Sequence, residues 1–403
     1  MNLKKQNINL YIIAQCLIMF NFYLCCLSIY SAKLVSISYV VIGVAVVLFI
    51  LSGIYRSFKF TTIPVLFMIL FGYMLLTDVV NSNFANFDCY MHILCFVLCF
   101  FFSFFINNKE ENEKALNCIL WTSLVCSTLM SIFSFPNLLT PGNDLGGITT
   151  NRNVFATCSC LSLFASYWLF QVKDKLSLKN IAIVIATIIN FFTLIITKSR
   201  TPLMVLLTTT IVIFIYYAFF VLAKKYNKKL IIFIFALMCL IIACLVFSFV
   251  LSRNDISNQT TIRNIINRLS SGRLDIWEQC FKLIGESPIT GVNNDVFHQR
   301  MVDVFNEYYY HQHNAYIGLM TIHGIPSLII YLIIIVYTVI SGIKNICKHK
   351  ENNEIKKDFF YFAVLLGLLV GDLFESYTFT YFIPSGYFVF LMFESIESSR
   401  LSK

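Results

Sequence analysis

Long apolar runs, separated by short polar segments, form the dominant pattern of the chain. A helix needs about 20 apolar residues to cross the hydrocarbon of a bilayer, and runs of that length recur from one end of the chain to the other. The pattern predicts an all-α polytopic membrane protein with about twelve transmembrane helices. The predicted spans are residues 9–30, 34–54, 61–80, 89–106, 116–135, 153–171, 180–197, 202–222, 230–251, 314–342, 358–375 and 377–394, the last two sharing a tight turn.

The longest polar segment lies between the ninth and tenth predicted spans, at residues 252–313. It divides the chain into residues 1–251, with spans one to nine, and residues 314–403, with spans ten to twelve and a terminal tail. The first apolar run is long and no small-residue cleavage site follows it. We therefore interpret this run as the first membrane anchor and not as a signal peptide.

Apolar residues inside the long polar segment recur at helical spacing. They are Leu274, Trp277, Phe281 and Ile284, with polar residues between them. This spacing predicts an amphipathic helix that lies on the membrane surface or on the bundle of spans. Turn-forming residues within 286–291 are expected to end that helix.

Composition agrees with the membrane class. With 58% hydrophobic and 13% charged residues, the chain has too little surface charge for a soluble globular protein. The net charge of +9 would suggest a nucleic-acid partner in a soluble protein, but here the lysines lie in short loops and we expect no nucleic acid. The 14 cysteines fall mostly in apolar runs, where thiols pack as small hydrophobic groups and form no disulfide framework.

The lysines predict the orientation in the membrane. If the amino terminus is cytoplasmic, the lysine clusters all fall on the cytoplasmic side, as the positive-inside bias requires. These clusters lie at residues 4–5, 109–114, 173–179, 224–229 and 344–357. Both termini are then cytoplasmic, and the long polar segment lies outside the cytoplasmic membrane.

The arginines have the opposite distribution, since most of them fall on the outer side in this topology. The outer arginines are Arg152, Arg200, Arg253, Arg263, Arg268, Arg273 and Arg300. Guanidinium is a planar fork suited to bidentate binding of phosphate or carboxylate. Solvation of the loop or contact with lipid headgroups is the alternative, which we favour for Arg253, Arg263, Arg268 and Arg300. Arg200 and Arg273 are our candidates for an anion site.

Arg200 lies in a short break between two apolar runs. We expect Thr201 to cap the helix that follows, and Pro202 suits its first turn. A helix N-terminus offers free backbone N–H groups and partial positive charge, so an anion is the expected ligand there. Spans six and ten are also expected to begin at the outer face, beside Arg152 and His313 respectively.

His313 is the candidate for proton transfer, because imidazole titrates near neutral pH. A polar cap at the membrane boundary is the alternative role. His311 and His298 lie nearby and would suggest zinc, but acidic or thiol partners at the usual spacing are missing, so we predict no metal. Carboxylates at the end of a span usually face a partner. Of Asp372 and Glu375, at the end of span eleven, we expect Asp372 to pair with a site arginine.

Taken in order, these segments resemble the O-antigen ligase and polymerase superfamily, over about the second half of the chain. The motifs are Ser199-Arg200, Ser271-Gly272-Arg273-Leu274-Asp275-Ile276-Trp277, Ser287-Pro288-Ile289-Thr290-Gly291, His313-Asn314-Ala315-Tyr316 and Gly324-Ile325. The resemblance implies a membrane-embedded inverting glycosyltransferase of the C type (GT-C), which works without a metal or other cofactor. Such enzymes take a glycan from undecaprenyl diphosphate and transfer it to an acceptor hydroxyl on the outer face of the membrane.

The resemblance also implies roles for individual residues. Arg200 and Arg273 would bind the diphosphate, and His313 would act at the acceptor hydroxyl or on the phosphate. Asn151 and Asn153 resemble a further family pattern near the lipid entrance. The full set of expected substrate-binding residues is Arg200, Arg273, Asn151, Asn153, Arg152, Asn314 and Asp372.

Three functions stay open at this point. A polymerase of polysaccharide repeat units, for lipopolysaccharide or capsule, adds the chain to another lipid-linked unit, whereas a ligase adds the finished chain to lipid A core or another terminal acceptor. We favour the polymerase, because nothing in the sequence singles out a lipid A core surface; a chain-length regulator and a flippase are then expected partners. The third function is a lipid-linked oligosaccharide flippase or transporter, although the chain lacks the two similar halves of a major facilitator.

Overall fold

The computed structural model describes most of the chain. Described are residues 2–27, 32–53, 61–82, 89–90, 92–93, 95, 109–139, 146–149, 151–170, 177–216, 272–307, 309, 311–348, 352–379 and 384–401. Predicted span nine, most of predicted span four and the arginines at 253, 263 and 268 lie outside these residues.

The described residues are predominantly helical, which confirms the all-α prediction for this part of the chain. The helices are α1 (Asn2–Cys25), α2 (Ala32–Gly53), α3 (Thr62–Val80), α4 (Lys109–Leu139), α5 (Arg152–Leu169), α6 (Leu178–Ile196), α7 (Arg200–Tyr216), α8 (Arg273–Glu286), α9 (Asn294–Phe305), α10 (Ala315–His323), α11 (Ile325–Lys348), α12 (Asn352–Gly371) and α13 (Pro384–Leu401). The described residues of 89–95 are also helical.

Among the described helices, four are long and apolar enough to cross a membrane, so the chain is a membrane protein. These segments are Thr62–Val80, Asn112–Leu138, Leu178–Ile196 and Ile325–Lys348. Three shorter apolar helical segments accompany them: Asn9–Cys25, Ile37–Ser52 and Arg200–Tyr216. The total of about twelve spans stays a prediction.

Helix α5 lies at the centre of the bundle and packs against α4, α6, α7 and α13. Its buried side includes the small polar residues Ser159, Ser162 and Ser166, and the last of these donates to the carbonyl of Ser162 at 2.9 Å. Small residues let helix backbones approach closely within a membrane, where polar side chains must bond inside the protein. This placement holds the start of α5 against the other helices of the site.

Helices α7 and α12 pack closely along two glycines. A Cβ on Gly367 would meet Thr209 and the backbone of Val205, and one on Gly371 would meet Tyr377. Glycines four residues apart on one helix face are a common means of close helix contact in membranes. The contact brings the start of α7 next to the loop that follows α12.

The amphipathic helix predicted in the long polar segment exists, as α8, and its buried face includes only part of the predicted stripe: Ile284 is buried and Trp277 packs against the buried cluster. Ile276, Cys280 and Leu283 are buried against α9 and α10, whereas Phe281, which we expected on the packed face, is 56% exposed. Apolar residues occur on more than one side of α8, so spacing alone did not identify the buried side. The position of α10 decides it.

The prediction of one continuous span at residues 314–342 is wrong, because the chain breaks at Gly324. Gly324 has φ +79°, and a Cβ there would overlap the carbonyl of Ile289. The turn after α8 crosses at this break: the amide of Ile325 donates to the carbonyl of Pro288 at 2.8 Å. Gly291 meets the backbone of α10 in the same way, with φ +68°. Two motifs noted in the sequence thus meet at a backbone crossing that only glycine fits.

Candidate active site

The segment before α10 is tied to the loop after α12. Asn314 caps α10 by accepting from the amide of Ile317 at 2.9 Å, and its side-chain amide donates to the carbonyl of Leu373 at 2.9 Å. The amide of Ala315 donates to the carbonyl of Asp372, also at 2.9 Å. Asparagine is a favoured capping residue, and here it also places the preceding residue, His313, beside the loop.

His313 faces the carboxylate of Glu375. Its Nδ1 lies 2.9 Å from Oε1 of Glu375, and its side chain is 28% exposed. The backbone of His313 is left-handed, with φ 53°. This conformation is uncommon outside glycine and is a frequent mark of functional positions. Trp277 of α8 supports the same turn, since its Nε1 donates to the carbonyl of Gln312 at 2.9 Å.

Arg273 reaches the same carboxylate from the first position of α8. Its Nη2 lies 3.3 Å from Oε2 of Glu375, and its Nη1 donates to the carbonyl of Phe374. The helix begins after Gly272, which has φ +81° and lies in open space. The side chain of Arg273 is 14% exposed, so it is mostly buried.

The starts of α5 and α7 complete the arrangement. The side-chain amide of Asn153 donates to Oε2 of Glu375 at 3.3 Å, and the hydroxyl of Ser199 donates to Oδ1 of Asn153 at 2.8 Å. Arg200 follows Ser199 directly and is half-buried. Asn151 caps α5 by accepting from the amide of Asn153 at 2.8 Å.

Four helix starts therefore gather around the loop that carries Glu375, those of α5, α7, α8 and α10. Each helix start contributes partial positive charge and free N–H groups. Arg152, also at the start of α5, is exposed. The arrangement is an electropositive, partly open site in which one carboxylate holds an arginine, a histidine and an asparagine.

The environment of Glu375 keeps it ionised. Burial raises the pKa of Glu375, but the hydrogen bond with His313 and the charges of His313, Arg273 and His311 outweigh burial and lower the pKa below its ordinary value. An ionised carboxylate only accepts hydrogen bonds, so Nδ1 of His313 carries the proton and donates it. Nε2 of His313 is then the ring nitrogen that does not face Glu375.

The expectation that Asp372 pairs with a site arginine is wrong. Asp372 is fully buried, and Thr378 donates to it from the backbone at 3.0 Å and from the hydroxyl at 2.5 Å. Tyr331 donates to Oδ2 of Asp372 at 3.2 Å. The two carboxylates are only three positions apart, and the fold turns Asp372 into the bundle and Glu375 towards Arg273.

A second local expectation also fails. Helix α7 begins at Arg200, so Thr201 lies inside the first turn and is buried, and it does not precede the helix as a cap. Ser199 occupies the position before the helix and bonds to Asn153 instead.

Sequence reasoning noted Glu375 but assigned it no role, and it passed over Ser199 and Trp277 as contacts of the site. The signal available for Glu375 was an acidic residue in a break between two apolar runs. That signal is shared with Asp372, so it did not identify the arginine's partner.

A segment of the chain that contains three of the candidate site residues is similar to a known protein family. Residues 185–332, a little over a third of the chain, match the family described as O-antigen ligase. The match contains Arg200, Arg273 and His313, whereas Asn153 and Glu375 lie outside it. None of the curated proteins compared with the chain matches it. The resemblance read from the motifs is confirmed, since this match supports the O-antigen ligase and polymerase superfamily.

Proposed function

We propose that the protein is a membrane glycosyltransferase that moves a glycan from undecaprenyl diphosphate to a sugar hydroxyl on the outer face of the cytoplasmic membrane. The observation that carries the proposal is the Glu375 network. It holds a histidine with one ring nitrogen engaged beside an arginine, at a partly open surface, and both residues lie in the family domain.

Charge at the site suits a diphosphate. Arg273 and Arg200 stand at the starts of α8 and α7, and Asn153 and Arg152 stand at the start of α5. When the glycan leaves its carrier, negative charge accumulates on the diphosphate. Fixed guanidinium groups and helix N-termini stabilise that charge, and they do so without a metal or other cofactor. Asn314 acts on the substrate through His313, which it positions, and Asp372 acts through the fold of the loop.

His313 supplies the base in this mechanism. Nε2 takes the proton of the acceptor hydroxyl, and the hydroxyl oxygen forms a bond to the anomeric carbon of the donor as the bond from that carbon to the diphosphate oxygen breaks. Undecaprenyl diphosphate leaves, and attack from the opposite face inverts the anomeric centre. Glu375 holds the tautomer and stabilises the imidazolium that forms, as carboxylates do in comparable histidine pairs. In a second version of the mechanism, His313 binds the phosphate.

The proposal includes a membrane topology and partner proteins. We place about twelve spans in a GT-C arrangement, with both termini in the cytoplasm and spans one to five forming a groove for the polyprenyl tail. The long polar segment then lies at the outer face of the inner membrane. A flippase would supply the lipid-linked unit, and a chain-length regulator would act beside the enzyme.

We favour polymerisation of repeat units over ligation, because no feature of the described residues singles out a lipid A core surface. The ligase and the flippase remain the competing functions. A flippase shares the need for arginines near a diphosphate but gives no role to a histidine paired with a carboxylate.

The test compares glycan profiles on gels, with lipid-linked intermediates assayed alongside, in cells that make each variant at wild-type protein levels. The variants are His313→Ala, Arg200→Ala and Arg273→Ala. The matched control is Arg300→Ala, since Arg300 bonds Glu286 at 2.8 Å, away from the network. We expect the three site variants to abolish polymer while the control keeps the wild-type profile.

The products separate the competing functions. A ladder that collapses to a single repeat unit identifies a polymerase, and long polymer left on the carrier lipid identifies a ligase. Accumulation of intermediates on the cytoplasmic leaflet would identify a flippase. An unchanged profile in all three site variants would refute the transferase.

A further inference from the structure

Three buried side chains that can bind a metal meet at the far end of α10 from His313. They are Asp78, His92 and His323, and one ligand atom from each lies within 4.8 Å of the others. Their exposed fractions are 2%, 2% and 4%. Charged or titratable groups are rarely buried so completely unless they are paired or bind a metal.

The three residues come from separate parts of the chain. Asp78 lies in the last turn of α3, His92 in the helical residues 89–95, and His323 at the end of α10. Nδ1 of His92 lies 2.6 Å from Oδ2 of Asp78, and the two imidazole rings are 4.9 Å apart. A tetrahedral zinc ion, with bonds of about 2.0–2.1 Å, places its ligand atoms about 3.4 Å apart. The three ligand atoms lie within 4.8 Å of one another, so an ion between them requires their spacing to adjust.

The surroundings of His323 match the outer shell of a metal ligand. The hydroxyl of Thr77 lies 2.7 Å from Nδ1 of His323. A histidine that binds a metal through one nitrogen usually has the other nitrogen held by a hydrogen-bond partner, which orients the ring. Thr77 therefore leaves Nε2 of His323 for the ion.

The donor set suits zinc. Two imidazoles and one carboxylate are the three protein ligands of many zinc sites, in which a water completes the tetrahedron.

We propose that Asp78, His92 and His323 form a zinc site that joins α3, residues 89–95 and α10. The nine residues of α10 span about 13 Å, so the ion lies away from the Glu375 network and takes no part in glycan transfer. It holds one end of the helix whose other end places His313.

The test measures zinc bound to the full-length protein, purified in detergent with an affinity tag that contains no histidine. The protein is incubated with zinc chloride, desalted and analysed by mass spectrometry for zinc per chain. We expect about one zinc ion per wild-type chain. Zinc should fall about tenfold or more in His92→Gln and in His323→Gln. The matched control is His298→Gln, which removes a histidine of α9 and should keep wild-type zinc.

Cobalt gives a second measurement that uses the wild-type fold. Co²⁺ in this site should show the visible bands of tetrahedral coordination, and His323→Gln should remove them. Wild-type protein without tetrahedral cobalt bands would overturn the proposal. So would wild-type protein that keeps no more zinc than the His92→Gln, His323→Gln double variant.

Discussion

Glu375 and Glu397 lie at opposite ends of the bundle. Each has an arginine partner, but the other groups that donate to the two carboxylates differ. Glu397 is fully buried and accepts from the amides of Thr62 and Ile63 at 2.9 and 3.0 Å, with Arg400 at 3.1 Å. It therefore caps the start of α3, where backbone N–H groups have no partner in the helix. Ser385 near the start of α13 is bonded to the loop that leads from Glu375, and Glu397 lies about 18 Å further along that helix.

Within the part of the chain that the structure describes, Glu375 accepts from the side chains of His313, Arg273 and Asn153 and from no backbone amide. Its side chain is 16% exposed and that of His313 is 28% exposed. A carboxylate bonded to backbone amides holds two helices together, whereas a carboxylate bonded to partly exposed side chains positions those side chains. Under the proposed function, the comparison therefore separates a glutamate that serves the fold from one that serves the chemistry.

The largest effect should come from Glu375→Gln. The glutamine amide cannot hold the same imidazole tautomer or stabilise imidazolium, so glycan transfer should fall about 10²–10⁴-fold. Assays of polymer formed per folded enzyme, with melting temperatures measured alongside, check this. Glu397→Gln is the matched control and should keep transfer per folded molecule near the wild-type value. Equal losses of transfer in Glu375→Gln and Glu397→Gln would show that Glu375 has no special role in glycan transfer.

The next largest effect should be a loss of stability caused by Glu397→Ala, at the end of the bundle away from Glu375. Glu397→Ala leaves the N–H groups of Thr62 and Ile63 and the guanidinium of Arg400 without their acceptor, which should cost on the order of 3 kcal/mol. Denaturation of the purified protein, followed by tryptophan fluorescence, measures the loss. A stability loss no larger than that of Glu375→Ala would show that both glutamates serve the fold equally.

A smaller change, in both stability and glycan transfer, should come from the contact between α7 and α12. Gly367→Ala adds a methyl group where α12 meets Thr209 and Val205 of α7, and overpacking of this kind costs about 1–3 kcal/mol. Because α7 carries Ser199 to the site, transfer should fall together with stability. Gly285→Ala is the control, since a Cβ there meets no atom within 4 Å. A drop in stability with unchanged transfer would show that the site does not depend on this contact.

The smallest effect should be a pH dependence of stability that comes from Glu375. Since its pKa is lowered in the folded protein, the carboxylate contributes stability above its unfolded pKa of about 4.3. That contribution is lost as the pH falls through the lower, folded pKa. The difference in melting temperature between wild type and Glu375→Gln should therefore shrink as the pH is lowered from 7 towards 3. A difference that grows on acidification would contradict the assigned direction.

Much of the class and some of the site could be predicted from the sequence. The lengths of the apolar runs predicted the helices, and the helix starts before α5, α7 and α10 follow from local breaks beside Asn151, Arg200 and Asn314. Arg273 and His313 were selected because their side-chain chemistry and local setting suit an anion and a proton. The structure brings these two residues together at Glu375.

Local sequence patterns did not determine which of two similar nearby residues makes a tertiary contact. Asp372 and Glu375 look alike in sequence, yet only Glu375 meets the arginine, which lies 102 positions away along the chain. The buried side of α8 was predicted only in part for the same reason: Ile284 is buried but Phe281 is exposed, because the partner helix α10 is remote in sequence. The zinc ligands proposed here also lie far apart, so the local histidine spacing that we considered pointed away from them.

The sequence by itself determined that this is a helical membrane protein, and it selected Arg200, Arg273 and His313, in the second half of the chain, as the candidates for the chemistry. These conclusions depend on hydropathy, on side-chain type and on contacts within a few residues, all of which are local. Only the tertiary structure decided that Glu375 joins those groups, that Gly324 breaks the tenth span, and which face of α8 is buried. Those outcomes depend on where distant segments cross, and close packing at a crossing is set by the whole bundle.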